Sequence, residues 1–271
     1  MEVQRMKNNC LKTLYFCFYL VLFNFALLRA DHYEGINLFS SYNAIDLNWL
    51  PQFLPYNPVI LEAGAFRGQD TVRAAKIWPN GRIIAFEPDP NGFKELEKNV
   101  AEAQVTNVEL HSLALSSYNG SALFNICLGP NNNEPAYGYA SSLLPLKKGM
   151  EIFCKGPQIE VPCVTLDAWC KENQIDTIDL LRLEVEGAEY GVLKNSPNIL
   201  KKVKILYIKT YIHPHRLGMT NYPALKEFLE KSNFVLLSHR YQPGIIGHAI
   251  FLSRELFDAY FKLSLGMYLE Y

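Results

Sequence analysis

The chain has 271 residues, of which 49% are hydrophobic and 13% aromatic, and its formal net charge is −1 at pH 7. This composition supplies a sizeable apolar core and excludes an intrinsically disordered chain. Basic and acidic residues are balanced and interspersed, so the chain lacks the basic surface of a nucleic-acid-binding protein, and we expect no nucleic-acid partner.

The N-terminal segment, residues 1–30, is predicted to be a signal peptide or a membrane anchor. Basic residues precede an uncharged run over residues 13–28 that is rich in Leu and Phe. The run is long for a signal-peptide core and slightly short for a membrane span, so both alternatives stay open, as does a leader without a targeting role. Either targeting role predicts a membrane-associated or exported protein, with membrane contact through residues 11–28. Without one, the protein is cytoplasmic.

Four of the six cysteines lie in the body of the chain, at Cys127, Cys154, Cys163 and Cys170. They form no C-x-x-C pair and no Cys/His cluster, so no metal site is assigned. Buried free thiols are the favoured interpretation. A disulfide between two of them requires that the domain lie outside the cytoplasm.

The first predicted elements form a strand, a glycine turn, a helix and a second strand. After an N-terminal extension over residues 31–58, which holds a short helix near residues 46–50, one domain is expected from residue 59 to residue 271. Its first strand covers residues 59–63, and Gly64 and Gly68 follow it. A helix from about residue 68 to 78 leads to a second strand that ends at Glu87.

The pattern then changes into an insertion. Asp89 and Pro90 predict an N-cap and the first residue of a helix, and a third strand covers residues 108–113. Residues 114–165 are predicted to be an antiparallel insertion, because Asn119-Gly120 is a strong β-hairpin signal.

The remaining elements complete an α/β domain. A helix opens at Thr165, strands cover residues 178–185 and 203–211, and another helix runs over residues 222–232. The last elements expected are antiparallel strands over residues 234–238 and 248–252 and an amphipathic helix in the tail from 255 to 271. This order predicts a Rossmann-like, mostly parallel sheet with helices on both faces and antiparallel closing strands.

The turn after the first strand predicts a nucleotide site. Glycine lets the backbone turn sharply and approach a ligand, and the helix behind it points free N–H groups at a negative group. Glu87 can accept hydrogen bonds from two ribose hydroxyls. The middle glycine of a dinucleotide-binding turn is absent, and Glu62 suits an ammonium group better than a pyrophosphate. S-adenosylmethionine is therefore favoured over NAD, and an NAD-linked oxidoreductase is the weaker alternative.

A second group of polar residues follows the strand over residues 178–185. Glu184 and Glu186 are two residues apart, so both could face the mouth of the sheet. A carboxylate there could take a proton from an attacking hydroxyl or position it. One of these acids, or Glu189, could instead only cap the next helix. His213, in His213-Pro214-His215-Arg216, lies at the same edge and is a candidate general base, although a polar surface loop is the commoner role of such a segment.

With these motifs in order over about residues 59–210, the sequence resembles the FkbM family of S-adenosylmethionine-dependent methyltransferases. The residues that carry the resemblance are Ile60 to Gly68, Ala85 to Pro88, Asn119-Gly120, Thr165 to Asp167 and Asp179 to Glu189. The resemblance implies a class I methyltransferase fold and O-methylation of a hydroxyl on a small molecule or glycan. The predicted cofactor-binding residues are Glu62, Gly64, Phe66, Gly68 and Glu87, and the predicted catalytic residues are Glu184, Glu186 and His213.

Two departures from the family pattern bear on activity. Arg182 and Glu184 stand where Lys and Asp are commoner, and Lys209 stands where the family usually ends a strand with Glu. Together with the N-terminal segment, the charge reversal at Lys209 motivates an alternative. The chain would then be a membrane-tethered or exported binding module on a scaffold that has lost catalysis.

Overall fold

The computed structural model describes residues 47–129, 135–151, 154–241 and 246–260. The chain divides into two units, residues 1–42 and 43–271, and every described residue belongs to the second. The predicted signal peptide or anchor lies outside the described residues, as does most of the predicted tail helix, of which residues 254–260 are helical. In the ranges that the structure describes, no helix has both the length and the apolar character that crossing a membrane needs.

Ten strands in the described residues form two sheets. In chain order they are β1 Val59–Ala63, β2 Arg82–Phe86, β3 Val108–His111, β4 Ala114–Leu115, β5 Gly120–Asn125, β6 Gln158–Val164, β7 Ile178–Leu183, β8 Val203–Tyr211, β9 Phe234–Tyr241 and β10 Ile246–Ser253. The helices are α1 Gln69–Ile77, α2 Pro90–Glu102, α3 Leu166–Glu172, α4 Glu189–Lys194, α5 Pro197–Leu200 and α6 Tyr222–Lys231, with 3-10 helices over Leu47–Gln52 and Pro135–Ala140. These bounds agree with the sequence predictions to within a few residues for most elements.

The main sheet has the order β3-β2-β1-β7-β8-β10-β9. Its strands are parallel except β10, which is antiparallel to both neighbours, β8 and β9. The chain starts in the centre, winds outward to β3, and then returns to the centre at β7. The order therefore reverses between β1 and β7, and ligands of open α/β sheets bind in the crevice outside the carboxyl ends of the strands at this point.

Apolar side chains cover both faces of the sheet, as the prediction of helices on both faces requires. One face packs Leu61, Leu181 and Leu206 against α3 to α6, and the other packs Ile60 and Ile205 against α1 and the first 3-10 helix. Alternate residues of a strand point to opposite faces, so buried strands such as β7 are apolar on both sides.

Side chains begin several helices as the sequence predicts. The Asp89 carboxylate accepts a hydrogen bond from Asn91 N at 2.9 Å, with Pro90 in the first turn of α2. Thr165 Oγ1 accepts from Ala168 N at 3.2 Å at the start of α3. These caps satisfy backbone N–H groups that a helix start leaves unpaired, and they set the directions in which both helices leave the sheet edge.

The insertion differs from the prediction in its pairing. β4 and β5 flank Asn119-Gly120 but do not form a hairpin with each other. β4 pairs parallel to β6 and β5 pairs antiparallel to it, giving a three-stranded sheet of order β4-β6-β5. The hairpin prediction was wrong because β6, more than 30 residues further along the chain, inserts between the two runs; a local turn signal carries no information about such a partner.

The cysteine prediction is corrected at one pair. Cys127 and Cys154 form a disulfide within the insertion, with Cα atoms 5.2 Å apart, while Cys163 and Cys170 are free and buried. The two bonded cysteines are 27 residues apart in sequence. Their proximity depends on how the insertion folds, which the spacing of the four cysteines did not reveal.

Candidate active site

The turn between β1 and α1 brings the backbone of two strands into close contact. Gly64 has φ +80° and lies so close to the backbone carbonyl of Glu184 that a Cβ atom at this position would overlap it. Gly64 N and Ala65 N both donate to Phe86 O, at 3.0 and 3.1 Å. Gly68 also has a positive φ, +78°, and is packed against the Leu96 side chain of α2. Both predicted glycines are thus required by the geometry of the turn.

Glu87 lies at the end of β2 and is held by the backbone on both sides. Its Oε2 accepts a hydrogen bond from Phe66 N at 2.6 Å, and its Oε1 accepts from Asp89 N at 2.9 Å. Burial raises the pKa of Glu87 to about 7, although these two hydrogen bonds act in the opposite direction. The carboxyl group is therefore fixed in orientation, and each oxygen has a further lone pair for a ligand hydroxyl.

A cleft opens at the sheet edge where the strand order reverses. Four of the predicted site residues line it, namely Gly64, Phe66, Glu87 and Glu184. The insertion supplies much of the remaining wall; its lining residues include Ala114, Leu115, Phe124, Gly138, Tyr139, Ser141 and Leu143.

Both carboxyl oxygens of Glu62, by contrast, are bound by other side chains of the protein. Its Oε1 pairs with Arg182 of β7, and its Oε2 accepts a hydrogen bond from Thr71 Oγ1 at 2.5 Å. Burial raises the pKa of Glu62 to about 7, with the Arg182 guanidinium opposing the rise. The same guanidinium contacts Asp70 at 2.6 Å, so Arg182 ties β1, α1 and β7 together beneath the turn.

Glu184 is bound through only one of its oxygens. Oε1 pairs with the Arg182 guanidinium and lies 3.6 Å from His248 Nε2 of β10. Although burial favours the neutral form, Arg182 and His248 together lower the pKa of Glu184 to about 2. The group is thus ionised at neutral pH and borders the cleft.

Glu186, two residues after Glu184, forms a second buried polar cluster with Lys209 and Tyr211. Its Oε1 pairs with Lys209, and its Oε2 accepts a hydrogen bond from Tyr211 Oη at 3.0 Å. Burial lowers the pKa of Lys209, but Glu186, Glu184 and Glu189 more than reverse this and hold it above its usual value. The positive charge at Lys209 is therefore compensated inside the protein.

The predicted catalytic residues are only partly brought together. Glu184 and Glu186 both lie just after the end of β7 at the sheet edge, whereas His213 lies exposed on the loop after β8. His248 of β10, which the sequence did not single out as a site residue, is buried and lies beside Glu184. Its antiparallel register with Lys209 places it at the site, and that register depends on the closing strands rather than on any local motif.

The cleft fits S-adenosylmethionine on observations of its own. Gly64 lets the turn pack directly against the backbone of Glu184 at the edge of the cleft, Glu87 presents a fixed carboxyl group, and Phe66 and Leu115 provide apolar walls. An adenosine ligand with a charged tail matches such a lining. Together with the strand order, these features define the class I methyltransferase fold.

The chain belongs to the FkbM methyltransferase family. The family described as "Methyltransferase FkbM domain" matches residues 62–236, which is more than half of the chain. This match confirms the predicted family, the predicted fold class and S-adenosylmethionine as the cofactor. The alternative of a scaffold that has lost catalysis is not favoured.

Curated relatives and solved structures of methyltransferases are also similar. The chain is 28% identical over 155 residues to "2-O-methyltransferase NoeI" of Sinorhizobium fredii, covering 56% of this chain and 62% of that protein. It is 29% identical over 158 residues to "Methyltransferase sdnD" of Sordaria araneosa, covering 52% and 61%. These matches thus span about three fifths of each relative's length. The N-terminal domain of EvdMO1 with SAH bound matches at TM-score 0.44 and 15% identity, covering 75% of this chain and 77% of that one.

Proposed function

We propose that this protein transfers a methyl group from S-adenosylmethionine to a hydroxyl group of a small molecule or glycan. The observation that carries the proposal is the cleft at the strand-order reversal, which is lined by Gly64, Glu87 and Glu184. The relative NoeI, a 2-O-methyltransferase by name, supports a hydroxyl as the acceptor.

In this proposal the two ends of the cleft have different tasks. The cofactor, when bound, supplies an electrophilic methyl group. Glu87 accepts hydrogen bonds from the ribose hydroxyls, Gly64 and Gly68 permit the close approach of the backbone, and Phe66 packs against the nucleoside. Glu62 supports the turn from beneath by holding Arg182 and Thr71.

The acceptor side requires a group that takes the hydroxyl proton. The low pKa of Glu184 makes it a weak base, and both oxygens of Glu186 are already bound by Lys209 and Tyr211. We therefore assign these two carboxylates to positioning and charge. His213 stays the predicted proton acceptor on the loop after β8, where it is exposed and does not line the cleft.

Titration of the full chain with S-adenosylhomocysteine in a calorimeter tests the first half of the proposal. We expect binding to the wild type. A Glu87→Ala variant should lose about 1–3 kcal/mol of binding free energy, because the ribose hydroxyls lose the acceptor that the proposal assigns to them. Glu160→Ala on the outer surface of the insertion is the control and should bind normally. No binding to the wild type at millimolar ligand contradicts the proposal.

We propose further that the domain works in an oxidising compartment, outside the cytoplasm. The Cys127–Cys154 disulfide supports this, since such bonds persist mainly in secreted and lumenal proteins. The uncharged run over residues 13–28 supports it independently. Peptide mass spectrometry without reduction, on protein alkylated at the moment of cell lysis, should recover the two cysteines as one cross-linked peptide. Recovery of both as alkylated thiols contradicts this location.

A further inference from the structure

Three carboxyl groups, those of Glu62, Glu184 and Glu186, lie at the ends of β1 and β7, and two of them have both oxygens occupied. Glu62 is bound by Arg182 and Thr71, and Glu186 is bound by Lys209 and Tyr211. An added ammonium group would have to displace one of these contacts, which are buried and charge-assisted. Neither carboxyl group is therefore open to a ligand in this arrangement.

Glu184 differs from both. Its two neighbours, Arg182 and His248, reach the same oxygen, Oε1. Among the contacts between described residues, Oε2 accepts no hydrogen bond. Glu184 lines the cleft and its side chain is 19% exposed, so Oε2 is the carboxyl oxygen left for a ligand.

Backbone geometry places Glu184 at the correct end of the cleft. Its carbonyl is packed against Gly64, whose missing Cβ permits this contact. With its ribose held by Glu87 at the end of β2, a cofactor whose amino-acid tail runs toward Gly64 and β7 would bring its ammonium group beside Glu184.

The charge balance also favours an incoming cation. One guanidinium, that of Arg182, contacts three carboxyl groups, those of Glu62, Asp70 and Glu184. Glu184, which is ionised at neutral pH, thus shares this guanidinium with two other carboxyl groups and keeps part of its negative charge at the cleft. An ammonium group at Glu184 Oε2 offsets part of this charge at short range.

We infer that Glu184, rather than Glu62, receives the α-ammonium group of S-adenosylmethionine, through its Oε2 oxygen. In this assignment Arg182 and His248 are positioning residues that hold Oε1 and aim Oε2 at the ligand, and Glu62 is the buried support of Arg182. The inference rests on the proposed function, because it assigns a role within the same cofactor site.

Two ligands separate this role from general support of the fold. S-adenosylhomocysteine carries the amino-acid tail, whereas 5′-methylthioadenosine has the same nucleoside without it. In calorimetry on the full chain, Glu184→Gln should weaken S-adenosylhomocysteine binding about tenfold to a hundredfold, the usual range for a lost charge-assisted hydrogen bond. Its affinity for 5′-methylthioadenosine should change less than twofold. The matched control, Glu186→Gln, should leave the ratio of the two affinities at the wild-type value.

A second measurement uses only the wild type. An analogue of S-adenosylhomocysteine without the α-amino group should bind the wild type about as weakly as the parent ligand binds Glu184→Gln. Equal weakening of both ligands in the variant, or an unchanged affinity for S-adenosylhomocysteine, overturns the inference while leaving the proposed function intact. Failure of the wild type to bind either ligand overturns the proposed function, and the inference falls with it.

Discussion

Arg182 and Glu62 stand opposite each other on β7 and β1, and their side chains form an ion pair in which the residues are only 7% and 2% exposed. They are 120 residues apart in sequence. A buried pair of this kind gains little net free energy from forming, because both charges lose their hydration. Removing one partner is costly, since the other charge stays buried without compensation.

Replacing Arg182 should therefore destabilise the fold strongly. We expect Arg182→Met to lower the free energy of unfolding by about 3–5 kcal/mol, measured by urea denaturation. The control is Arg82→Met, which removes an ion pair with Glu109 whose side chains are 41% and 42% exposed; it should cost at most about 1 kcal/mol. Similar losses in the two variants would show that the buried network does not behave as described.

Gly64→Ala should abolish or severely weaken S-adenosylhomocysteine binding. The new Cβ would overlap the Glu184 carbonyl, and the backbone at φ +80° disfavours any side chain. Gly149→Ala separates the two effects, because Gly149 has φ +91° but no atom within 4 Å of an added Cβ. The Gly149→Ala control should lose about 1 kcal/mol of stability through the same backbone effect. It should bind S-adenosylhomocysteine in calorimetry as the wild type does. Normal binding by Gly64→Ala would refute the close approach.

The stability of the protein should depend on pH through Glu189. Burial raises the pKa of Glu189 to about 8, and the nearby Glu186 carboxylate adds to the rise. The folded protein thus holds a proton that the unfolded chain releases near its ordinary pKa of 4.5. The stability from this group is complete below pH 4.5 and is lost as the pH rises through about 8.

Glu189→Gln tests this by removing the titration while keeping the shape. Between pH 5.5 and 7.5, the free energy of unfolding of the variant relative to that of the wild type should increase by about 1 kcal/mol per pH unit. The slope cannot exceed the value set by one additional proton bound to the folded wild type. Denaturation curves of both proteins across this range provide the measurement. Comparing the two proteins cancels the contributions of the other titrating groups. Parallel pH profiles would mean that Glu189 titrates normally.

The Cys127–Cys154 disulfide should stabilise the insertion. Closing a loop of this length contributes about 3 kcal/mol by the chain-entropy relation. Dithiothreitol should therefore lower the urea midpoint of the wild type, and the double variant Cys127→Ser, Cys154→Ser should start at that lower value and not respond. A variant that still shifts with reductant would point to a different pairing.

Much of the fold could be predicted because its signals are local. β8 is predicted to the residue, since a run of apolar residues bounded by turn signals indicates a strand wherever it pairs. The cap at Asp89 and the glycine turn at Gly64 are equally local, because they depend on residues within a few positions. Long-range pairing carries no such signal, which is why β6 was not foreseen between β4 and β5.

The site was predictable in outline only. Glu87 and Gly64 stand where the sequence placed them, because each follows directly from the end of a strand. The partners of the acids were not foreseen: Arg182 for Glu62, Lys209 for Glu186 and His248 for Glu184 each depend on strand register. The charge reversal at Lys209, which suggested a lost activity, is explained by its pairing with Glu186.

The position of β7 in the centre of the sheet also determines when the cleft can form during synthesis. β1, which carries Glu62, leaves the ribosome first, and more than a hundred residues follow before Arg182 does. Until then Glu62 has no counter-charge, and the contact between Gly64 and Glu184 cannot exist. A chain released after the insertion would hold β1, β2 and β3 with an unsatisfied acid at their open edge. The cleft can therefore form only after β7 and Glu184 have been synthesised.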